Sequence, residues 1–248
     1  MTVRSAIQYR VTFFIILSVL LSILLSVAQT HAKQIEVRKT PVPNLALLYE
    51  ALIGELHRGG TVVYFVPFET QGRDQTDQPS WWKECAISRM ISAHGLEQAA
   101  AVRRAILQLN LEIQFVESSE ACTALSTQTY LVSNRWLRSF ITPDLNPVSV
   151  LRQAGLKDDV IKMQALAHFQ TVMVDSVKLL FGFPMPLSTA PHPVLSDLAE
   201  GESAVFRLSA VGEPILLARL NWRQWQEMGD YFVATKVTPS KAASKQRK

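Results

Sequence analysis

The chain has 248 residues, with 25 Lys and Arg against 21 Asp and Glu, two cysteines and five histidines. Its formal charge of +4 sits at the ends: without Arg4, Arg10, Lys236, Lys241, Lys245, Arg247 and Lys248, 18 bases face 21 acids, a balance of about −3. A net acidic body argues against a nucleic-acid groove, which concentrates Lys and Arg on one face. Two cysteines with no nearby histidines supply no metal set, and no cofactor is expected.

Residues 1–32 read as an export segment. Arg4 and Arg10 form a basic start, Val11 to Ala28 is an uncharged apolar run of 18 residues, and Thr30-His31-Ala32 offers small residues for cleavage. Cleavage after Ala32 or Ala28 gives a periplasmic or secreted protein. The alternative is an anchor in the inner membrane formed by residues 11–28, since the run just reaches bilayer length. A membrane is expected as a partner only in that case. Export makes a disulfide between Cys85 and Cys122 the default, closing 37 residues and contributing about 3 to 4 kcal/mol on the chain-entropy model.

Residues 33–235 are read as one domain and 236–248 as a basic disordered tail. After Pro41-Val42-Pro43, Asn44 is placed to cap a helix whose stripe is Leu45, Leu48, Leu52, Ile53 and Leu56. Gly59-Gly60 then turns the chain into Thr61–Val66, an uncharged run rich in β-branched and aromatic residues that Pro67 stops. That is the signature of a buried strand. A polar loop over 71–83 ends on Trp81 and Trp82, which either stack a ligand or cover a core edge.

Ser92 caps a second helix with an apolar face of Leu96, Ala99, Ala100, Val102, Ala105, Ile106 and Leu109. A strand follows at Ile113–Glu117, then a helix over Cys122–Val132. Residues 133–158, with Pro143 and Pro147, are expected as loops with one short helix. A helix from Asp159 to Val174 leads to a third strand over 177–183. Two hairpin strands at 203–210 and 214–220 precede a last helix starting at Asn221. The alternation predicts a three-layer α/β/α sandwich around a mostly parallel sheet. In such sheets ligands bind at the carboxyl ends of the strands.

Several stretches, in order, resemble the histidine phosphatase superfamily (phosphoglycerate mutase-like), in particular its small exported branch. Gly59 to Phe65 resembles the strand before an Arg-His-Gly or Arg-His-Ala motif. Glu84-Cys85, Arg89 and Ser92 to Ala99 resemble the approach to its Gly-x-x-Gln-Ala helix. Ser118 to Ala124 resembles a Ser-Ser-Pro-Tyr-Cys-Arg-Ala turn, Leu179 to Phe183 a strand ending Val-Gly-His, and Glu200 to Phe206 a Glu-Gly-Glu-Ala-Ala-Val-Phe start. The resemblance spans about residues 50 to 228.

The family's chemistry requires an imidazole that attacks phosphorus, a second histidine and two arginines for the phosphoryl oxygens. On these alignments Val66 and Thr123 stand at the arginine positions, Pro67 at the nucleophile and Phe183 at the second histidine. The resemblance therefore implies the scaffold without its phosphotransfer groups: a pseudoenzyme binding a small ligand or a protein partner. Of the remaining polar groups, Glu69, Arg89 and His192 are candidates for ligand binding. The alternative is a phosphatase that hydrolyses phosphate monoesters with these three in a rearranged site. His57 and His94 are expected on helices away from the strand tips, and His168 as a packing or surface residue.

Overall fold

The computed structural model describes residues 45–72, 82–86, 88–132, 138–172 and 174–237. The expected export segment, the Asn44 cap, Trp81 and the tail beyond Val237 lie outside them. Helix α1 (Leu45–Arg58) leads to β1 (Thr61–Phe65) and, past the strand tip, to the short β2 (Thr70–Gln71). Next come β3 (Met90–Ile91), α2 (Ala93–Gln108), β4 (Ile113–Ser119), α3 (Cys122–Val132) and β5 (Arg138–Thr142). A 3-10 turn at Pro143–Leu145, α4 (Val148–Gln153) and α5 (Asp158–Gln170) precede β6 (Val177–Phe181). The 3-10 turn Pro193–Ser196, β7 (Ser203–Leu208), β8 (Pro214–Leu220) and α6 (Trp222–Val237) complete the order.

Six strands form one sheet in the order β5-β4-β6-β1-β7-β8, and β2 pairs separately with β3. The strands β5, β4, β6 and β1 run parallel, while β7 and β8 form an antiparallel hairpin against β1. Every residue of β1 and of β6 is buried. Both faces of the centre are therefore covered, as a parallel sheet requires. Side-chain alternation divides β1 between two cores. Val63 and Phe65 join Leu52, Leu56, Val102, Ile106 and Trp225 from α1, α2 and α6. Val62, Tyr64 and Val66 join Leu151, Ile161 and Phe169 from α4 and α5 on the other side. The architecture is the expected three-layer sandwich, and the described residues form one compact unit.

Local signals account for several boundaries. Ser92 caps α2, its hydroxyl accepting from the Gly95 N–H. Asn221 caps α6 by accepting from the Arg223 and Gln224 N–H groups. Gly59 ends α1 at φ +75° against Asp175 and Ser176, where a Cβ would fall 2.4 Å from the Asp175 carbonyl carbon.

Five expectations are corrected. Leu45 and Leu48 in the first turn of α1 are exposed, and Tyr49 takes their place facing the core. In α2 both Leu96 and Ala100 are exposed, so the apolar face is narrower than expected. Residues 138–142, expected as loop, form the edge strand β5, whose residues 138–141 are exposed. Helix α5 stops at Gln170 rather than continuing to Val174, and α6 runs through Val237, past the expected start of the tail.

One feature of the second core carries charge. Lys178 lies in mid-β6 with its side chain 1 % exposed, and its ammonium meets Glu117 of β4 at 2.7 Å. The same ammonium donates to the His168 carbonyl and the Thr171 hydroxyl. His168 links Glu117 through Nδ1 at 2.6 Å and Asp144 through Nε2 at 3.0 Å. Burial pulls the imidazole pKa down, but the two carboxylates outweigh it and hold His168 above its ordinary value. Burial lowers the Lys178 pKa, with Glu117 offsetting part of the effect. His168 is thus a half-buried bridge between two carboxylates.

Candidate functional site

The parallel strands β4, β6 and β1 end side by side, and the chain leaving each tip builds one wall of a cleft. From β1, Val66 donates its N–H to the Glu202 carbonyl at 3.0 Å, and the Pro67 carbonyl accepts from Gly201 at 2.9 Å. These bonds clamp the Val66-Pro67-Phe68 segment to the loop before β7. Phe68 is fully buried. From β6, Gly182 donates to the Phe65 carbonyl, and the Phe183 carbonyl accepts from the Tyr64 hydroxyl at 2.8 Å. A Cβ on Gly182 would stand 2.2 Å from that hydroxyl, so only glycine lets the tyrosine pass beneath.

From β4, the chain turns through Ser119-Glu120-Ala121 into α3. The turn is fixed by Asn146, whose Oδ1 accepts from the Ser119 hydroxyl at 2.7 Å and from the Glu120 N–H at 3.0 Å. Its Nδ2 donates to Glu120. Thr123, in the first turn of α3, is thereby brought to the strand tips.

The cleft has two lobes of about 210 Å³ each, and both are lined by Arg89, Thr123 and Phe183. Val66, Pro67, Pro184 and Leu198 line one lobe together with Thr70 and Glu200. Trp82, Ala121, Cys122 and Pro147 line the other, with Ser88. Val66, Pro67, Thr123 and Phe183, read separately along the sequence, therefore share one cleft. Among the described residues its surface is largely hydrocarbon, and the arginine that lines it is matched by a carboxylate: Arg89 Nη1 lies 3.1 Å from Glu200 Oε1. The same oxygen accepts from the Thr70 hydroxyl at 2.9 Å.

Glu69 and His192 stand elsewhere. Glu69 accepts from the Ser92 hydroxyl and meets His94 Nδ1, both at 2.9 Å. The His94 and Ser92 contacts hold its carboxyl below the ordinary range. His94, expected away from the strand tips, is thus tied to the residue that follows the β1 tip, because the start of α2 packs there. His192 caps the 3-10 turn Pro193–Ser196, its Nδ1 accepting from the Val194 N–H at 3.2 Å. Its ring packs 5.3 Å from that of Phe206, on the α4–α5 face of the sheet, and burial lowers its pKa. His57 meets the Leu109 carbonyl at the far end of α2.

The sequence reading missed Glu200 as the partner of Arg89, and Trp82, Pro147 and Leu198 as wall residues. The run Glu200-Gly201-Glu202 was the available signal for the first. No equivalent signal marks the others, because their place depends on how three loops converge. Cys85 and Cys122 form the expected disulfide, with Cα atoms 5.3 Å apart. Among the described residues no cluster of His, Cys, Asp and Glu could hold a metal ion, and no helix is long and apolar enough to cross a membrane.

No family model matches the chain, and no curated protein sequence matches it. The chain is similar to solved structures at low identity. It is similar to the protein histidine phosphatase SixA complexed with tungstate, at 12 % identity and TM-score 0.46, covering 66 % of this chain and 97 % of that one. It is similar to the alpha-ribazole phosphatase from Shigella flexneri, at 13 % identity and TM-score 0.43, covering 63 % and 94 %. It is also similar to phosphoserine phosphatase from Entamoeba histolytica, at 11 % identity and TM-score 0.43, covering 66 % and 98 %.

Proposed function

We propose that this chain is an exported histidine phosphatase-like protein that has lost phosphotransfer and binds an apolar ligand in the cleft at its strand tips. The observation that carries this reading is the convergence of Val66, Pro67, Thr123 and Phe183 on one cleft. The sequence resemblance assigns to these positions the groups that attack phosphorus and hold its oxygens. Proline has no nucleophilic atom, phenylalanine and valine donate no hydrogen bond, and a threonine carries no charge to set against a phosphate.

The one cation that the described residues place in the cleft walls, Arg89, faces Glu200, so an incoming phosphate would meet a carboxylate at the same spot. The hydrocarbon walls instead favour a ligand that gives up apolar surface to them. Export agrees with the apolar N-terminal run and with the disulfide.

The test uses purified mature protein with three probes: inorganic phosphate by calorimetry, an aryl phosphate for turnover, and the neutral apolar dye Nile red by fluorescence. The expected result is no phosphate binding, no hydrolysis, and saturable dye binding that Phe183→Asp removes. Turnover of the aryl phosphate would overturn the reading.

A second reading has one observation in its favour. The Thr70 hydroxyl bonds to Glu200 beside Arg89, a nucleophile, a base and an anion-binding cation within one cleft wall. In that case the chain is a phosphate-monoester hydrolase with a rearranged site, and Thr70→Ala would abolish turnover. The pairing of Glu200 with Arg89 argues against it, because the carboxylate and the guanidinium are already engaged with each other.

A further inference from the structure

Among its described residues, the wall of the cleft formed by Trp82, Ser88 and Arg89 has no helix or long strand of its own. The described turns over 82–86 are held to the molecule at the start of α3. The Trp82 carbonyl accepts from the Cys122 N–H at 2.9 Å, Lys83 meets Glu120 at 2.9 Å, and Cys85 is bonded to Cys122. The covalent tie is asymmetric. Cys85 is exposed, whereas Cys122 is 2 % exposed, opens α3 and lines the cleft.

From this arrangement we infer that the Cys85–Cys122 disulfide is a redox latch: a small thiol or dithiol reductant opens it in the folded protein and releases the Trp82–Arg89 wall of the cleft. The inference rests on the cleft being the binding site. The asymmetry sets the order of events. A reductant thiolate attacks the sulfur of Cys85, the exposed member of the pair, and forms a mixed disulfide with it. The Cys85–Cys122 bond breaks, and its electron pair leaves on Cys122.

That leaving thiolate forms at the N-terminus of an eleven-residue helix, where the backbone dipoles favour negative charge and make the sulfur a better leaving group. A second reductant thiol then displaces the first from Cys85. In balance, the disulfide takes two electrons and two protons to become two thiols, and two reductant thiols become one reductant disulfide. What remains at the wall includes the Lys83–Glu120 and Arg89–Glu200 ion pairs, both at the surface, and hydrogen bonds such as that from the Cys122 N–H to the Trp82 carbonyl. A surface pair such as Lys83–Glu120 holds little by itself.

The same bond is separable from the fold. The strands β1 and β6 are buried throughout and β4 in part, and the three are paired through β6 without it. Loss of the latch therefore acts on the wall rather than on the sheet, as sub-global openings do.

The experiment compares oxidised full-length mature protein with protein treated with dithiothreitol in native buffer, using hydrogen exchange resolved by peptide, mass mapping of thiol adducts, and Nile red binding. The expected result is reduction without unfolding and, in a parallel sample given limiting reduced glutathione instead, a glutathione adduct that forms first on Cys85. Exchange over residues 82–90 rises roughly tenfold while that of β1, β4 and β6 does not change. Nile red affinity falls roughly tenfold as one lobe loses its wall.

Cys122→Ala should show the raised exchange without reductant and no further response to it. The latch is overturned by a disulfide that opens only in unfolding concentrations of urea. It is equally overturned by a first adduct on Cys122, by unchanged exchange over 82–90 after reduction, or by equal dye affinity in both redox states. A raised exchange with no dye bound in either state supports the latch as a motion and refutes the binding reading.

Discussion

Replacing Glu117 by Gln tests the buried charge cluster that the second core is built around. The carboxylate meets the Lys178 ammonium at 2.7 Å and the His168 imidazole at 2.6 Å, and the lysine side chain is 1 % exposed. The amide is nearly isosteric, so packing is kept while the charge is removed and one of the two acceptor oxygens becomes a donor NH2. Lys178 then retains the His168 carbonyl and the Thr171 hydroxyl as acceptors, with no counter-charge. Breaking one member of a buried ion pair costs about 3 to 5 kcal/mol, because the other charge stays desolvated. Against a total stability of about 5 to 15 kcal/mol, that is a large fraction.

The assay is urea unfolding followed by tryptophan fluorescence, Trp225 being buried in the first core. Two further measurements separate charge from geometry. Adding Lys178→Met to Glu117→Gln removes the stranded ammonium and should return part of the loss. Raising the pH toward alkaline values should shrink the Glu117→Gln penalty, since burial already lowers the Lys178 pKa and the variant lysine can shed its proton. A Glu117→Gln cost below about 1 kcal/mol, or a double variant as unstable as the single one, would refute the reasoning.

The wild-type cluster also sets a pH dependence. His168 has a folded pKa above its unfolded value near 6.5, so its contribution is full below that pH and is lost as pH rises through the folded value. Burial alone would raise the Glu117 pKa, but His168 and Lys178 outweigh it; its contribution is present above about 4.5 and lost as pH falls through its folded value. Stability should decline on both sides of the 4.5–6.5 window, and His168→Gln should flatten the alkaline side in a series of urea titrations. Tyr64→Phe leaves the Phe183 carbonyl without its buried donor and should cost about 1 to 2 kcal/mol in the same titration. Gly182→Ala drives a methyl into the Tyr64 hydroxyl and should be worse than Tyr64→Phe; a milder effect would mean the tyrosine can swing aside. Ser92→Ala removes the α2 cap and should cost about 1 kcal/mol, read from the shift in thermal midpoint.

What the sequence determined by itself is what depends on neighbours along the chain. Gly59-Gly60 and Pro67 bracket β1, and apolar spacing sets α2 and α3. Ser92 caps its helix because the cap bond closes within three residues. Cys85 and Cys122 were legible as a pair because no other cysteine competes. The tertiary structure decided what depends on distant contacts. The strand Arg138–Thr142 escaped notice because residues 138–141 are exposed at the sheet edge, which leaves no alternation to read. Lys178 looked like an interruption of an apolar strand until β4 and α5 brought Glu117 and His168 to it. Glu200 and Arg89, 111 residues apart, meet only when the loop before β7 folds over the β1 tip. The positions of Val66, Pro67, Thr123 and Phe183 could be read one at a time. Their convergence on a single cleft follows from the parallel order β4-β6-β1, which places three chain exits at one edge of the sheet.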